Sequence, residues 1–270
     1  MITLEELNRR HGTRFRSLGA YEGGEFGAVR LVDDRGQRFV LKHQPPGLAP
    51  ATTDVLRPLG YPAPRYVVWG DDHNVQEELS GRPAGGWGAA PPAITARLLE
   101  LNELQAGRAV DETTSWFDEI SSSILDGYSD YAVVTTLEDH SDESRELLRL
   151  CRRTAERHAV DLPDAKDLVH WDFTLANVLV EEDTVTGVVD WGGTRTGDRL
   201  FDLATLVYYG PGQSPEIERY VVERIGREGL AVYLSHMAIR QTDWSLRHHG
   251  PAAGEQALRY SLGLARLFPS

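Results

Sequence analysis

From Thr13 to Leu79 apolar and polar residues alternate over short stretches broken by turn residues, whereas beyond Pro92 the apolar spacing lengthens to every third or fourth position. The first pattern predicts strands and the second helices. Thr3 followed by Glu6 predicts a capping box opening a short helix that Gly12 ends. Strands are expected at Arg14 to Leu18, Ala28 to Val32, Gln37 to His43, Tyr66 to Trp69 and Asn74 to Leu79, with a hairpin turn at Asp33 to Gly36. In the third of these, Phe39 and Leu41 fall on one face and Val40 and Lys42 on the other. One helix, Thr52 to Arg57, interrupts them and stops at Pro58. Residues 1–81 thus read as a small, mainly antiparallel lobe with one helix.

The Gly/Pro-rich stretch Gly81 to Pro92 marks a change of period and a lobe boundary. Helices are predicted at Ile94 to Ala106, Trp116 to Leu125, Asp142 to His158, Phe201 to Tyr209, Pro215 to Glu228, Leu230 to Arg247 and Gly254 to Leu267. One strand pair, Val178 to Glu181 and Val185 to Asp190, interrupts them. The expected class is α+β, with residues 82–270 forming a larger, mainly helical lobe.

The chain has 270 residues, of which 41% are hydrophobic and 26% charged, so a large core is available and extensive disorder is not expected. Its apolar runs fall far short of the roughly 18 residues a membrane span needs, and its first residues lack the apolar core of a signal peptide. A cytoplasmic protein is expected, as a monomer or weak dimer. The net charge of -13 disfavours nucleic acid and anionic membrane surfaces as partners. That charge is uneven: residues 1–100 are neutral, residues 101–150 carry -9 and residues 151–270 carry -4. An acidic wall facing a cation and a solvated face are the two readings of the middle stretch. Cys151, the only cysteine, rules out an intrachain disulfide and sits at helical spacing among leucines, where it reads as core. Of the 28 basic residues only Lys42 and Lys166 are lysine.

The stretch Val169 to Asn177 has the form H-x-D-x-x-x-x-N, built on His170, Asp172 and Asn177. Asn177 leads into the predicted strand pair, and a hairpin of that length returns Asp190 to its neighbourhood. Two oxygen ligands would then lie where a magnesium ion can bridge phosphates, with Asp172 facing them from the acceptor side.

This arrangement resembles the protein-kinase-like fold, and most closely the aminoglycoside phosphotransferase family of antibiotic kinases, over nearly the whole chain. The resemblance implies ATP or GTP as donor, Mg2+ as cofactor, Asp172 as the catalytic aspartate and Asn177 and Asp190 as magnesium ligands. Gly197 to Ala204 is similar to the family's G-D-x-x-x-D-L-A segment, which makes Asp202 a brace of the catalytic loop. Lys42 matches the lysine that pairs with the nucleotide phosphates, with Asp54 its candidate carboxylate partner. Gly24-x-x-Gly27 matches half of a phosphate-covering glycine loop, in which backbone N–H groups of Glu25, Phe26 and Gly27 would hold phosphate. At the hinge, backbone groups of Glu77 and Leu79 would contact the base. The sequence departs from the pattern in two ways: Trp171 stands where Gly is usual, and Gly192 and Gly193 follow Asp190-Trp191 where an acidic residue is common.

The resemblance and the acidic middle stretch together favour a cationic small-molecule acceptor. It would be an aminoglycoside or a tuberactinomycin-type peptide such as capreomycin or viomycin, met by carboxylates drawn from Asp111, Glu112, Asp118, Glu119, Asp126 and Asp130. A metabolic kinase of choline, homoserine or a sugar is the competing enzymatic reading; for choline, an aromatic cage would come from Trp116, Tyr128, Tyr131, Trp244 and Tyr260. A nucleotide-binding regulatory module without turnover is the alternative of another class.

Overall fold

The computed structural model describes residues 1–21, 27–111, 115–127, 132–210 and 212–269. Helix α1 (Leu4–His11) starts at Thr3, whose hydroxyl accepts the Glu6 N–H at 3.2 Å, and ends at Gly12 in the left-handed region. Only half of the expected capping box forms, because the Glu6 carboxylate turns instead to Arg10.

Strands β1 (Arg16–Ala20), β2 (Val29–Val32), β3 (Arg38–Lys42), β4 (Tyr66–Gly70) and β5 (His73–Glu77) form an antiparallel sheet in the order β1-β2-β3-β5-β4. The central strand β3 sets Leu41 opposite Val29 on one side and Val75 on the other. Phe39 and Leu41 join Leu7, Phe15, Leu31, Val68 and Val75 in a small core between this sheet and α1. The alternation that buries Phe39 and Leu41 turns Lys42 to the opposite face.

Helix α2 (Ala49–Leu56) runs into a 3-10 turn at Arg57–Leu59, closed by Gly60. Its Ala49 and Leu56, with Tyr61, Ala63 and Tyr66, belong to the large core rather than the small one. The two cores therefore meet across α2 and the segment that follows it. At Gly81 the chain turns with φ 107° against the Val180 backbone and the Thr186 side chain, a conformation and a space that exclude a Cβ.

Beyond Gly81, β6 (Arg82–Pro83), β8 (Val178–Glu181) and β9 (Thr184–Val188) form one small antiparallel sheet, and β7 (Asp167–Val169) pairs with β10 (Arg195–Gly197). The helices are α3 (Pro92–Leu104), α4 (Trp116–Leu125), α5 (Val134–His140), α6 (Asp142–His158), α7 (Leu200–Tyr209), α8 (Pro215–His248) and α9 (Pro251–Ala265). Helix α8 is interrupted at Gly226, where φ 74° and ψ 172° leave the helical region, three residues before the break the sequence suggested. Helix α5 and strands β6, β7 and β10 were not expected, being too short to show a period. The class is α+β, as anticipated. Among the described residues no helix is long and apolar enough to cross a membrane.

Candidate active site

Strand β7 delivers His170, Trp171 and Asp172 into a loop whose backbone is held by one buried carboxylate. Asp202, on the first turn of α7, accepts the His170 N–H at 2.8 Å and the Trp171 N–H at 3.0 Å. Its Oδ2 also accepts from the Gln105 side-chain amide at 2.8 Å. Complete burial pushes the Asp202 carboxyl up to about 7, against the pull of these three bonds.

His170 is fully buried against Trp191, with ring centroids 4.4 Å apart. Its Nε2 lies 2.9 Å from the Val189 carbonyl, and its Nδ1 accepts the Asp172 N–H at 3.3 Å. Those two contacts select the neutral tautomer with the proton on Nε2, and burial lowers the imidazole pKa in the same sense. Through this ring the Asp172 loop and the strand leading to Asp190 are fastened to each other.

Trp171 occupies the left-handed region with φ 75°, which costs any residue but glycine. Its indole is buried, stacked on Phe201 at 4.9 Å and 19°, with His236 and Trp116 edge-on to it. The departure from glycine is thus accommodated by ring burial.

The Asp172 side chain is 42% exposed, although both its oxygens are bonded. Oδ2 accepts from the Asn177 amide at 3.0 Å, and Oδ1 from Arg240 Nη2 at 3.2 Å. The same Asn177 amide donates to the Asp172 carbonyl, which turns its own oxygen away from Asp172. Val178 pairs with Val188, and the Val189 N–H donates to the Asn177 carbonyl at 2.9 Å. The hairpin therefore brings Asp190 back beside Asn177, as its length predicted. Asp190 takes a left-handed conformation, and its Oδ1 accepts from Lys42 Nζ at 3.1 Å. Asp54, the partner expected for Lys42, is instead exposed on α2. Lys42 pairs with Asp190 instead.

Of the glycine-loop residues, Gly24, Glu25 and Phe26 lie outside the described residues; Gly27 has φ 65°, and the Tyr21 N–H closes the loop onto the Ala28 carbonyl at 2.7 Å. At the hinge, the Glu77 N–H is already donated to the Arg65 carbonyl at 2.9 Å. Its carboxylate, partly buried, is held below the usual range by Arg57 and Arg65. Leu79 packs against Gly187 of β9.

The acidic stretch is partly committed to arginines: Glu103 to Arg199, Glu119 to Arg195, Glu138 to Arg152, Asp142 to Arg145 and Glu146 to Arg266. Asp118 and Asp126 are exposed, and Glu112 and Asp130 lie outside the described residues. The suggested aromatic cage is not assembled from Trp116, Trp244 and Tyr260. Trp116 is core, bonded to Tyr233; Trp244 packs on His248 with the rings tilted; Tyr260 packs on Trp87. Tyr128 and Tyr131 lie outside the described residues. Cys151 is buried, and its thiol is pushed up to about 12 by desolvation, as a core residue should be.

Arg240 and Gln105 were not anticipated. A signal for Arg240 exists: the run Leu230 to Ile239 is buried throughout, and a charge directly at the end of such a run calls for an internal partner.

The family model of the phosphotransferase enzyme family APH matches residues 20–234. A hygromycin-B 4-O-kinase of Escherichia coli is 31% identical over 94 residues, a stretch covering 33% of this chain and 28% of that relative. A thermostable mutant of aminoglycoside phosphotransferase APH(4)-Ia, solved as a ternary complex with ADP and hygromycin B, superposes with a TM-score of 0.74 over 97% of both chains at 19% identity. Macrolide 2'-phosphotransferase MphH from Brachybacterium faecium superposes with a TM-score of 0.61 over 94% of this chain and 95% of its own, at 18% identity.

Proposed function

The chain belongs to the APH phosphotransferase enzyme family, and from that premise we propose that it moves the γ-phosphoryl group of ATP to a hydroxyl of a cationic antibiotic. The fold, α+β and kinase-like, is that of aminoglycoside and macrolide phosphotransferases. The observation that carries the reading is the half-exposed Asp172 carboxylate, gripped through both oxygens and fastened through His170 to the strand that leads to Asp190, the partner of Lys42.

Asp172 orients the acceptor hydroxyl toward the γ-phosphorus and takes its proton as the new O–P bond forms and ADP leaves. An aspartate is a weak base at neutral pH, which suits late proton acceptance. Lys42 supplies positive charge to the phosphate chain, and the backbone N–H groups of residues 24–27 would cover it. The Glu77 N–H is spent on Arg65, so the base would be read through the Glu77 carbonyl and the backbone of Leu79. The two-lobe division, residues 1–81 and 82–270, follows from this reading.

Asn177 and Asp190 fit magnesium by the chemistry of their donors. Both present oxygen, and a hard cation that shares its shell with substrate phosphates needs only one or two carboxylates. Among the described residues no group of three His, Cys, Asp or Glu converges to offer a rival metal site. Bound there, the ion would neutralise phosphate oxygens.

The acceptor class rests on the family and on the exposed Asp118 and Asp126, an aminoglycoside being favoured and a tuberactinomycin-type peptide the second candidate. An ADP-release screen with magnesium and ATP or GTP against hygromycin B, other aminoglycosides, capreomycin, viomycin, a macrolide, choline and homoserine tests it. Turnover on a cationic antibiotic is expected; turnover confined to choline or homoserine would overturn it.

A further inference from the structure

Arg240 lies 68 residues beyond Asp172 and yet completes its hydrogen-bond shell. Its guanidinium donates through Nη1 to the Trp171 carbonyl at 2.7 Å and through Nη2 to Asp172 Oδ1 at 3.2 Å. The side chain is only 13% exposed against 42% for Asp172, so the cation is buried behind the carboxylate it holds. A guanidinium suits this place because its planar fork can reach a carbonyl and a carboxylate at once, which one ammonium cannot do in the same geometry.

Three further features fix the fork. The guanidinium carbon stands 5.7 Å from the centroid of the Trp171 ring. His236, one turn earlier on α8, is fully buried against that indole, and burial keeps it uncharged. Gln241, the next residue, accepts from the Tyr209 hydroxyl at 2.8 Å and ties this turn of α8 to α7. The turn of α8 that carries Arg240 is thereby anchored to the helix whose Asp202 braces the same loop.

We propose that Arg240 is a positioning residue for phosphoryl transfer: with Asn177 on Oδ2 and itself on Oδ1, it sets the plane of the Asp172 carboxylate, and through the Trp171 carbonyl it holds the left-handed turn that aims it. The inference rests on the reading of Asp172 as the acceptor-side carboxylate. Arg240 touches neither hydroxyl nor phosphate; it acts through Asp172.

The test compares wild type with Arg240→Ala, Arg240→Lys and, as a control on the underlying reading, Asp172→Asn. ADP release is followed with magnesium ATP and the fastest acceptor of the screen, or with water as acceptor if the screen is silent. Arg240→Ala is expected to lose about 10- to 100-fold in kcat with nucleotide KM within about twofold of wild type, and added guanidinium ion at tens of millimolar should restore several-fold of the loss. A merely structural role would not respond to guanidinium. Wild-type kcat in Arg240→Ala, or a loss that guanidinium leaves untouched while Tm is unchanged, overturns the proposal. Should Arg240→Ala lose its thermal transition, Arg240→Lys carries the test, since it keeps the packed stem: a kcat loss of at least about threefold supports the proposal and wild-type kcat overturns it. Wild-type kcat in Asp172→Asn would sink the Asp172 reading itself, whereas an inactive Asp172→Asn beside a fully active Arg240→Ala sinks only the role of Arg240.

Discussion

Lys42 and Asp190 stand 148 residues apart in the chain and 3.1 Å apart in space. The lysine ends β3 of the five-stranded sheet, and the aspartate leaves β9 of the small sheet in a left-handed turn. The two charges answer each other. On the proposed function, magnesium and a phosphate chain would give each a better partner, and the pair would hold the two groups ready for them.

Lys42→Met is therefore expected to raise nucleotide KM and lower kcat with little change in stability. The Asp190 side chain is 47% exposed and Lys42 20% exposed, and ion pairs this open are worth about 0 to 1 kcal/mol. Thermal denaturation and steady-state kinetics on one preparation check both halves of the expectation. A large fall in Tm would mean that the pair is structural.

Asp202 gives a pH signature. Burial holds its carboxyl at about 7, above its ordinary value of 3.8. Between those values the folded state binds more protons than the unfolded one, so stability falls as pH rises through that window. Asp202→Asn should remove this slope while costing about 1 to 3 kcal/mol, because its NH2 group turns a donor toward one of the loop N–H groups that the carboxylate served. Urea denaturation of both proteins at several pH values from 5 to 8 reads slope and offset; equal slopes would contradict the assignment.

Trp171→Gly restores the residue usual at that position and frees the backbone of its left-handed strain, a gain of about 1 to 2 kcal/mol. It also deletes an indole buried among Phe201, Trp116 and His236, and large aromatic deletions in cores cost about 3 to 5 kcal/mol. The second effect is larger, so a net loss of about 1 to 4 kcal/mol is expected in urea unfolding. A variant as stable as wild type would show that the ring contributes nothing.

What was legible in the chain was local. His170, Asp172 and Asn177 lie within eight residues of one another, and a hairpin of readable length returns Asp190 to them, so spacing alone places all four together. Asp202 was legible only through the resemblance of Gly197 to Ala204 to the family's G-D-x-x-x-D-L-A segment. The partner of Lys42 was not legible. Asp54 was the carboxylate at the expected place in the chain, but which carboxylate a lysine meets depends on how the sheet faces the rest of the molecule, and the one it meets is Asp190. The partner of Arg240 was hidden likewise: the apolar run before it calls for an internal partner, but nothing within α8 shows which side of the helix meets the loop. Strands β7 and β10 have three residues each, too few to show alternation. The break in α8 fell at Gly226 rather than near Gly229.

On the proposed function, Asp172 directs the acceptor hydroxyl at the γ-phosphoryl group. The turnover of Asp172→Asn with magnesium ATP and the acceptor found by the screen, beside ATP binding by the same protein, tests that claim. The amide keeps the size and one acceptor oxygen but cannot take a proton, so kcat should fall by at least about 100-fold with ATP affinity and Tm close to wild type. Turnover at the wild-type rate in that variant would contradict the claim outright.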